Sequence, residues 1–148
     1  MYKRILVPVE NSEYDATILE HVTRLARLCG SSVVIIHVAD GWVARNIRQL
    51  DLRESEEMKE DLAYIERLAT SMEKQGVPAE AVLASGDPGQ EISAAAEREK
   101  CDLIAMTTHG HKLLNDLLRG SVANAVRHSS TVPVLLVRGL PREQPTPR

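Results

Sequence analysis

Five short apolar runs alternate along the chain with segments whose apolar residues recur at helical spacing, and this alternation leaves few architectures open. Ile5-Leu6-Val7-Pro8-Val9, Val33–Val38, Ala79–Ala84, Leu103–Met106 and Val132–Val137 read as strands. The continuity of the first two predicts burial on both faces. Ile18, Val22, Leu25 and Cys29, joined by Leu19 and Ala26, step along a first helix that Gly30 closes. Ser12 is placed as its N-cap, with Glu13 and Asp15 in the first turn. Residues 39–52 read as a long loop. Met58, Leu62, Ile65, Ala69 and Met72 mark a second helix, ended by Gly76 with Pro78 beyond. Gly86-Asp87-Pro88 is a turn that caps a third helix running to about Lys100, and a short helix spans Ser121 to about His128. Strand–helix alternation of this kind predicts a parallel sheet with helices on both faces. Ligands of such sheets bind beyond the carboxyl ends of the strands, where the strand order reverses. The Val9–Ser12 and Met106–Ser121 loops both leave carboxyl ends, and they are neighbours if strands one and four are adjacent.

The chain of 148 residues is one domain in size, with 139–148, which hold three prolines, expected as a flexible tail. Phe is absent, so the core has to be aliphatic. A net charge of −3 with interleaved signs, and 3% aromatic residues, argue against a nucleic-acid partner: there is neither a basic face nor a stacking platform. Cys29 and Cys101 are too few for a disulfide framework and are expected as free thiols. The N-terminal apolar run is too short for a signal peptide, and no stretch is long enough to span a membrane, so cytoplasm is the expected compartment.

The segment from Met106 to Val122 carries the chemistry. Gly110 is separated by nine residues from Gly120-Ser121, which stands at the expected start of a helix. The first N–H groups of a helix lack intrahelical partners, and the dipole there is positive, so a phosphate can sit. Glycine permits close approach, and Ser121 offers a hydroxyl. No Gly-Lys-Ser/Thr occurs, so the cradle is not a Walker A loop. The bland reading is a turn and an N-cap. His109 and His111 lack a third ligand nearby, and no metal site is expected. His37 and His128 read as structural residues at a strand end and a helix end. Lys112 and Arg119 either touch anionic oxygens or stay solvated. Trp42 is either a lid over the site or a loop anchor. The Arg53–Asp61 charge run reads as the wet face of a helix.

On these residues the chain resembles the universal stress protein family from residue 2 to about 138. Lys3-Arg4-Ile5-Leu6-Val7-Pro8-Val9 with an acidic residue and Ser12 after it is similar to that family's first strand and loop. Gly86-Asp87-Pro88 is similar to its turn before the third helix. Gly110, Gly120-Ser121, Val122 and the closing Val132-Pro133-Val134-Leu135 resemble its Gly-x-x-Gly-x9-Gly-Ser/Thr motif and last strand. Glu10 stands where an aspartate is usual, Asn11 where a glycine is frequent, and Thr107 at the first motif glycine. The resemblance implies a domain over 1–138 with an α/β three-layer sandwich of the adenine nucleotide α-hydrolase type. Its five-stranded parallel sheet would be ordered 3-2-1-4-5. It further implies a homodimer paired through Val132–Val137 and a site for ATP; Mg²⁺ is expected to help by offsetting phosphate charge, since Glu10 brings a negative charge near the site. The implied site residues are Pro8, Val9, Glu10, Val38, Met106, Thr107, His109, Gly110, Gly120, Ser121 and Val122.

Other chemistries on similar scaffolds do not fit. A response-regulator receiver needs clustered acids after strand one and an aspartate after strand three, where Ser85-Gly86 stands. A flavodoxin needs a longer Ser/Thr-rich loop than Glu10-Asn11-Ser12, and the Ser-Gly-Gly loop of ATP pyrophosphatases is missing. No triad or carboxylate pair has a persuasive spacing. The role that the resemblance implies is that of a stress-response protein which reads an adenine nucleotide rather than an enzyme. Asp116 or His109 would support slow hydrolysis at most. The alternative is an ATP-independent interaction module with an empty or blocked pocket.

Overall fold

Strand β1 (Arg4–Pro8) lies at the centre of a five-stranded sheet ordered β3-β2-β1-β4-β5, with every pairing parallel. Around it the chain runs α1 (Asp15–Cys29), β2 (Ser32–Asp40), α2 (Ile47–Lys74), β3 (Ala79–Gly86), α3 (Pro88–Arg98), β4 (Leu103–His109), α4 (Asp116–Ser129) and β5 (Val134–Gly139). The computed structural model describes residues 1–40, 47–109 and 116–139, except for the side chains of 40, 47–55, 109 and 116–121. The expected architecture and strand order are those observed. Among the described residues no helix is long and apolar enough to cross a membrane.

The central position of β1 explains its unbroken apolar run. Ile5, Leu6 and Val7 are all buried, because each strand face meets a helical layer. Ile5 and Val7 pack with Ile18 and Val22 of α1 and with Ile65, Ala69 and Met72 of α2. Leu6 points the other way and packs with Val34 and Ile36 of β2, Ile92 and Ala95 of α3, and Val126 of α4. Each such aliphatic side chain contributes about 1.5–3 kcal/mol on leaving water. Cys101 is buried and Cys29 half-buried, and both are free.

Local signals terminate most elements as expected. Gly30 takes a left-handed φ of 69°, and the amides of Gly30 and Ser31 donate to the Ala26 carbonyl. Asp87 caps α3 by accepting the Gln90 amide at 3.0 Å, with Pro88 in the first turn.

Several boundaries differ, among them that of the fifth strand, which runs Val134–Gly139 and not Val132–Val137. Ser12 does not cap α1, which begins at Asp15 behind Tyr14 and has no side-chain cap bond. The Asp15 carboxylate instead reaches back to the amides of Glu10 and Ser12, because a carboxylate accepts two donors at once. The 39–52 segment is not all loop: Ala39 and Asp40 extend β2 against Ser85 and Gly86, and α2 starts at Ile47. No glycine or proline interrupts the chain between Ile47 and Lys74, so the helix continues through turns that carry no apolar stripe. Helix α4 starts at Asp116 rather than Ser121 and takes Gly120 into its interior, a placement that costs about 1 kcal/mol against alanine. Gly139 belongs to β5, and 140–148, the rest of the expected tail, lie outside the described residues.

Candidate functional site

The two central strands part company early. β1 pairs with β2 from Arg4↔Ser32 through Pro8↔Ile36, and β4 with β5 from Ile104↔Val134 through His109↔Gly139. Between β1 and β4 the ladder holds Ile5↔Leu103 and Leu6↔Ile104. Beyond that point the carboxyl ends of β1 and β4 diverge, and this is where the strand order reverses. A cleft of about 200 Å³ opens there. Pro8, Val9 and Glu10 line it from the end of β1, and His37 and Val38 from β2. Met106 and Thr107 of β4 and Val122 of α4 form the opposite side, with Pro88 and Ile92 of α3 and Asp15 of α1 completing the wall.

The fold thus brings together Pro8, Val9, Glu10, Val38, Met106, Thr107 and Val122 of the residues picked out in the sequence. His109 ends β4, and its side chain is not among those described. Gly110, His111, Lys112 and Trp42 lie outside the described residues. Gly120 and Ser121 fall in the second turn of α4. Helix α4 already runs through residues 116–119, so the amides of Gly120 and Ser121 are not those of its first turn. Among the described residues, no group of three His, Cys, Asp or Glu side chains is placed to hold a metal ion.

The walls are mostly apolar, with a few polar groups set into them, as in most small-molecule sites. Asp15, only 4% exposed, organises one end. Its Oδ1 accepts the Glu10 amide at 3.1 Å, and its Oδ2 accepts the Ser12 amide at 3.0 Å and the Tyr64 hydroxyl at 2.6 Å. Burial, then the bond to Asp15 and its charge, push the Tyr64 phenol far above its ordinary range, so it remains a donor. Asn11 sits at φ 60° in this loop, a conformation that asparagine tolerates and glycine adopts freely, which accounts for the residue type there. His37 bridges two acceptors: Nδ1 lies 2.9 Å from the Val9 carbonyl and Nε2 3.3 Å from Asp61 Oδ2. Thr107 Oγ1 and Ser12 Oγ are buried and have no hydrogen-bond partner among the described residues.

Asp15, Tyr64, His37, Pro88 and Ile92 were not foreseen as site residues. Asp15 looked like an ordinary helix-start acid, and Tyr64 lies 49 residues from its partner, so no local pattern marks the pair.

The family model of the universal stress proteins matches residues 1–138. The chain belongs to that family. It is 30% identical to a universal stress protein of Methanocaldococcus jannaschii, over 93% of this chain and 96% of that one. The solved structure of the M. jannaschii protein superposes with a TM-score of 0.79, covering 95% of this chain and 98% of that one. Two more distant members share the fold. One, from Archaeoglobus fulgidus, was solved in complex with dAMP; it is 24% identical, covers 92% and 98% of the two chains, and has a TM-score of 0.68. The other was solved in complex with cAMP; it is 18% identical, covers 93% and 97%, and has a TM-score of 0.70.

Proposed function

We propose that the cleft binds an adenine nucleotide, ATP being the first candidate, and that the protein acts as a nucleotide-linked regulatory homodimer in a cytoplasmic stress response. The observation that carries this reading is the convergence of Pro8, Val9, Val38, Met106 and Val122 on one apolar cleft where β1 and β4 diverge. Such walls suit the faces of a purine, and Glu10 beside them suits the hydroxyls of a ribose. The phosphates point toward the β4–α4 segment that carries His109, Gly110, Gly120 and Ser121, with Mg²⁺ offsetting their charge. The adenine nucleotides bound by relatives of this fold support the assignment. The nucleotide serves as a signal, and hydrolysis, if any, is slow.

One observation favours a second reading. Because α4 starts at Asp116, the amides of Gly120 and Ser121 have intrahelical acceptors and are not free for phosphate. On that reading the protein is an ATP-independent interaction module. Mass spectrometry of small molecules released from the denatured, purified protein separates the two. Adenine nucleotide in near-stoichiometric amount supports binding. None released, together with no calorimetric heat at millimolar ATP, supports the interaction module.

A further inference from the structure

One turn of α2 reaches the cleft loop twice. Asp61 contacts His37, whose other ring nitrogen meets the Val9 carbonyl. Three residues on, Tyr64 donates to Asp15, which holds the amides of Glu10 and Ser12. Residues three apart share a helix face, so both contacts leave the same side of α2. They converge on the Val9–Ser12 loop, of which Val9 and Glu10 line the cleft.

The consequence lies in what this loop can offer a ligand. Loop amides just ahead of a helix N-terminus are the backbone groups an anion seeks. Here a carboxylate of the chain itself holds two of them, almost wholly buried, and a phenol anchors it from behind. The Val9 carbonyl is likewise engaged, by the His37 ring. A phosphate at this end would meet a like charge and occupied donors.

We propose that Asp15, anchored by Tyr64, is the positioning residue that sets which way round a nucleotide lies. It closes the α1 end of the cleft to phosphate and holds the loop in the shape that receives the sugar and base. This assignment rests on the nucleotide reading above. It does not make Asp15 a ligand contact, since its effect passes through the loop amides and its charge.

Calorimetry of the parent, Tyr64→Phe and Asp15→Asn with adenosine, AMP and ATP tests it, alongside NMR exchange rates of the Glu10 and Ser12 amides. Tyr64→Phe keeps the ring and the Asp15 charge, so it loosens the loop alone. All three compounds should weaken by one common factor of about three- to tenfold, with faster exchange at both amides. Asp15→Asn also removes the charge, so adenosine should weaken more than ATP, and the ratio of ATP to adenosine affinity should rise about threefold or more. Tyr64→Phe binding all three as tightly as the parent overturns the proposal, as does an unchanged ratio in Asp15→Asn. If Asp15→Asn fails to fold by circular dichroism, the uniform loss in Tyr64→Phe decides alone. A parent that binds none of the three overturns the nucleotide reading and this assignment with it. A parent that binds all three, with indifferent variants, overturns this assignment only.

Discussion

Thr107 and Gly139 share one small space: a Cβ placed on Gly139 would stand 2.7 Å from the Thr107 Cγ2 methyl and 2.8 Å from Tyr14 Cδ1. The two residues lie on neighbouring strands, two positions apart in the β4–β5 register, and so face the same side of the sheet. The threonine methyl takes the volume that a side chain at 139 would need. Its bulk is turned toward β5 and Tyr14, which is how a branched residue is housed where the family motif has glycine. Gly139→Ala should therefore destabilise the parent by about 1–3 kcal/mol, the usual cost of overpacking. In a Thr107→Ser background the same change should cost less, leaving only the Tyr14 contact to relieve. Urea unfolding of the four proteins gives the coupling, expected at about 0.5 kcal/mol or more. Strict additivity would show that the two residues do not compete for space.

The hydroxyl of Thr107 leads to a different outcome. Oγ1 is buried and has no hydrogen-bond partner among the described residues. An unpaired buried hydroxyl costs about 1–3 kcal/mol, whereas a methyl in the same place costs nothing in desolvation. Thr107→Val should thus raise stability, by about 1 kcal/mol or about 2–4 °C in Tm for a chain of this size. A lower Tm would mean that the hydroxyl is satisfied in solution.

If the cleft holds an adenine nucleotide, the folded state alone can bind it, and mass action must stabilise that state. At a hundredfold excess over Kd the gain is about 2.7 kcal/mol. Thermal scans with ATP, ADP and AMP should show a concentration-dependent rise in Tm, larger for ATP when Mg²⁺ is present. On that reading GTP should give less, since the site is proposed for adenine. Curves that superpose at millimolar nucleotide would count against the reading.

The features legible in the sequence are those written locally. The run Ile5-Leu6-Val7 announces a strand buried on both faces, Gly30 a helix end, and Asp87-Pro88 a helix start. With the strand order implied by the family resemblance, they place Pro8, Val9, Val38, Met106, Thr107 and Val122 around one switch point. The features that escaped depend on distance along the chain or on the lack of a signal. Tyr64 and Asp15 meet only after folding, and their helices show no spacing that pairs them. The first turns of α2 carry no apolar stripe and no breaker, so a loop and a helix look alike there. At α4, Gly120 looked like a boundary because glycine often is one, but Asp116-Leu117-Leu118-Arg119 ahead of it are residues a helix accepts.

At the opposite end of the sheet, Asp102 ties the start of β1 to the α3–β4 connection. Its carboxylate accepts the Lys3 amide at 2.9 Å and the Arg4 amide at 3.0 Å. Partial burial alone would raise its pKa, but the bonds from Lys3 and Arg4 outweigh that and hold the carboxyl below its ordinary value. A depressed pKa contributes stability that is present above the unfolded value of about 3.9 and is lost as pH falls through the folded value. Asp102→Asn should therefore be less stable than the parent near neutrality, with the gap closing in acid below that range. Urea titrations at neutral pH and at about pH 3 check the sign. A gap that stays constant would show that the carboxylate charge contributes nothing.

The outer edge of β5 bears on assembly. Among the described residues β5 pairs with β4 alone, at one end of the sheet, and its other edge meets no described strand. Leu135 and Val137 pack inward beside α1, while Leu136 is 40% exposed on the alternate face. An apolar edge strand left open invites pairing with another chain, and a two-fold axis lets two copies satisfy each other. Light scattering at micromolar concentration should give the parent twice the chain mass of 16.4 kDa. Leu136→Lys puts a charge where the two copies would meet and should give the single-chain mass. Its thermal unfolding should also lose the dependence on protein concentration that a dimer shows. A monomeric parent would refute pairing through β5, and a Leu136→Lys protein that stays dimeric would move the interface elsewhere on the molecule.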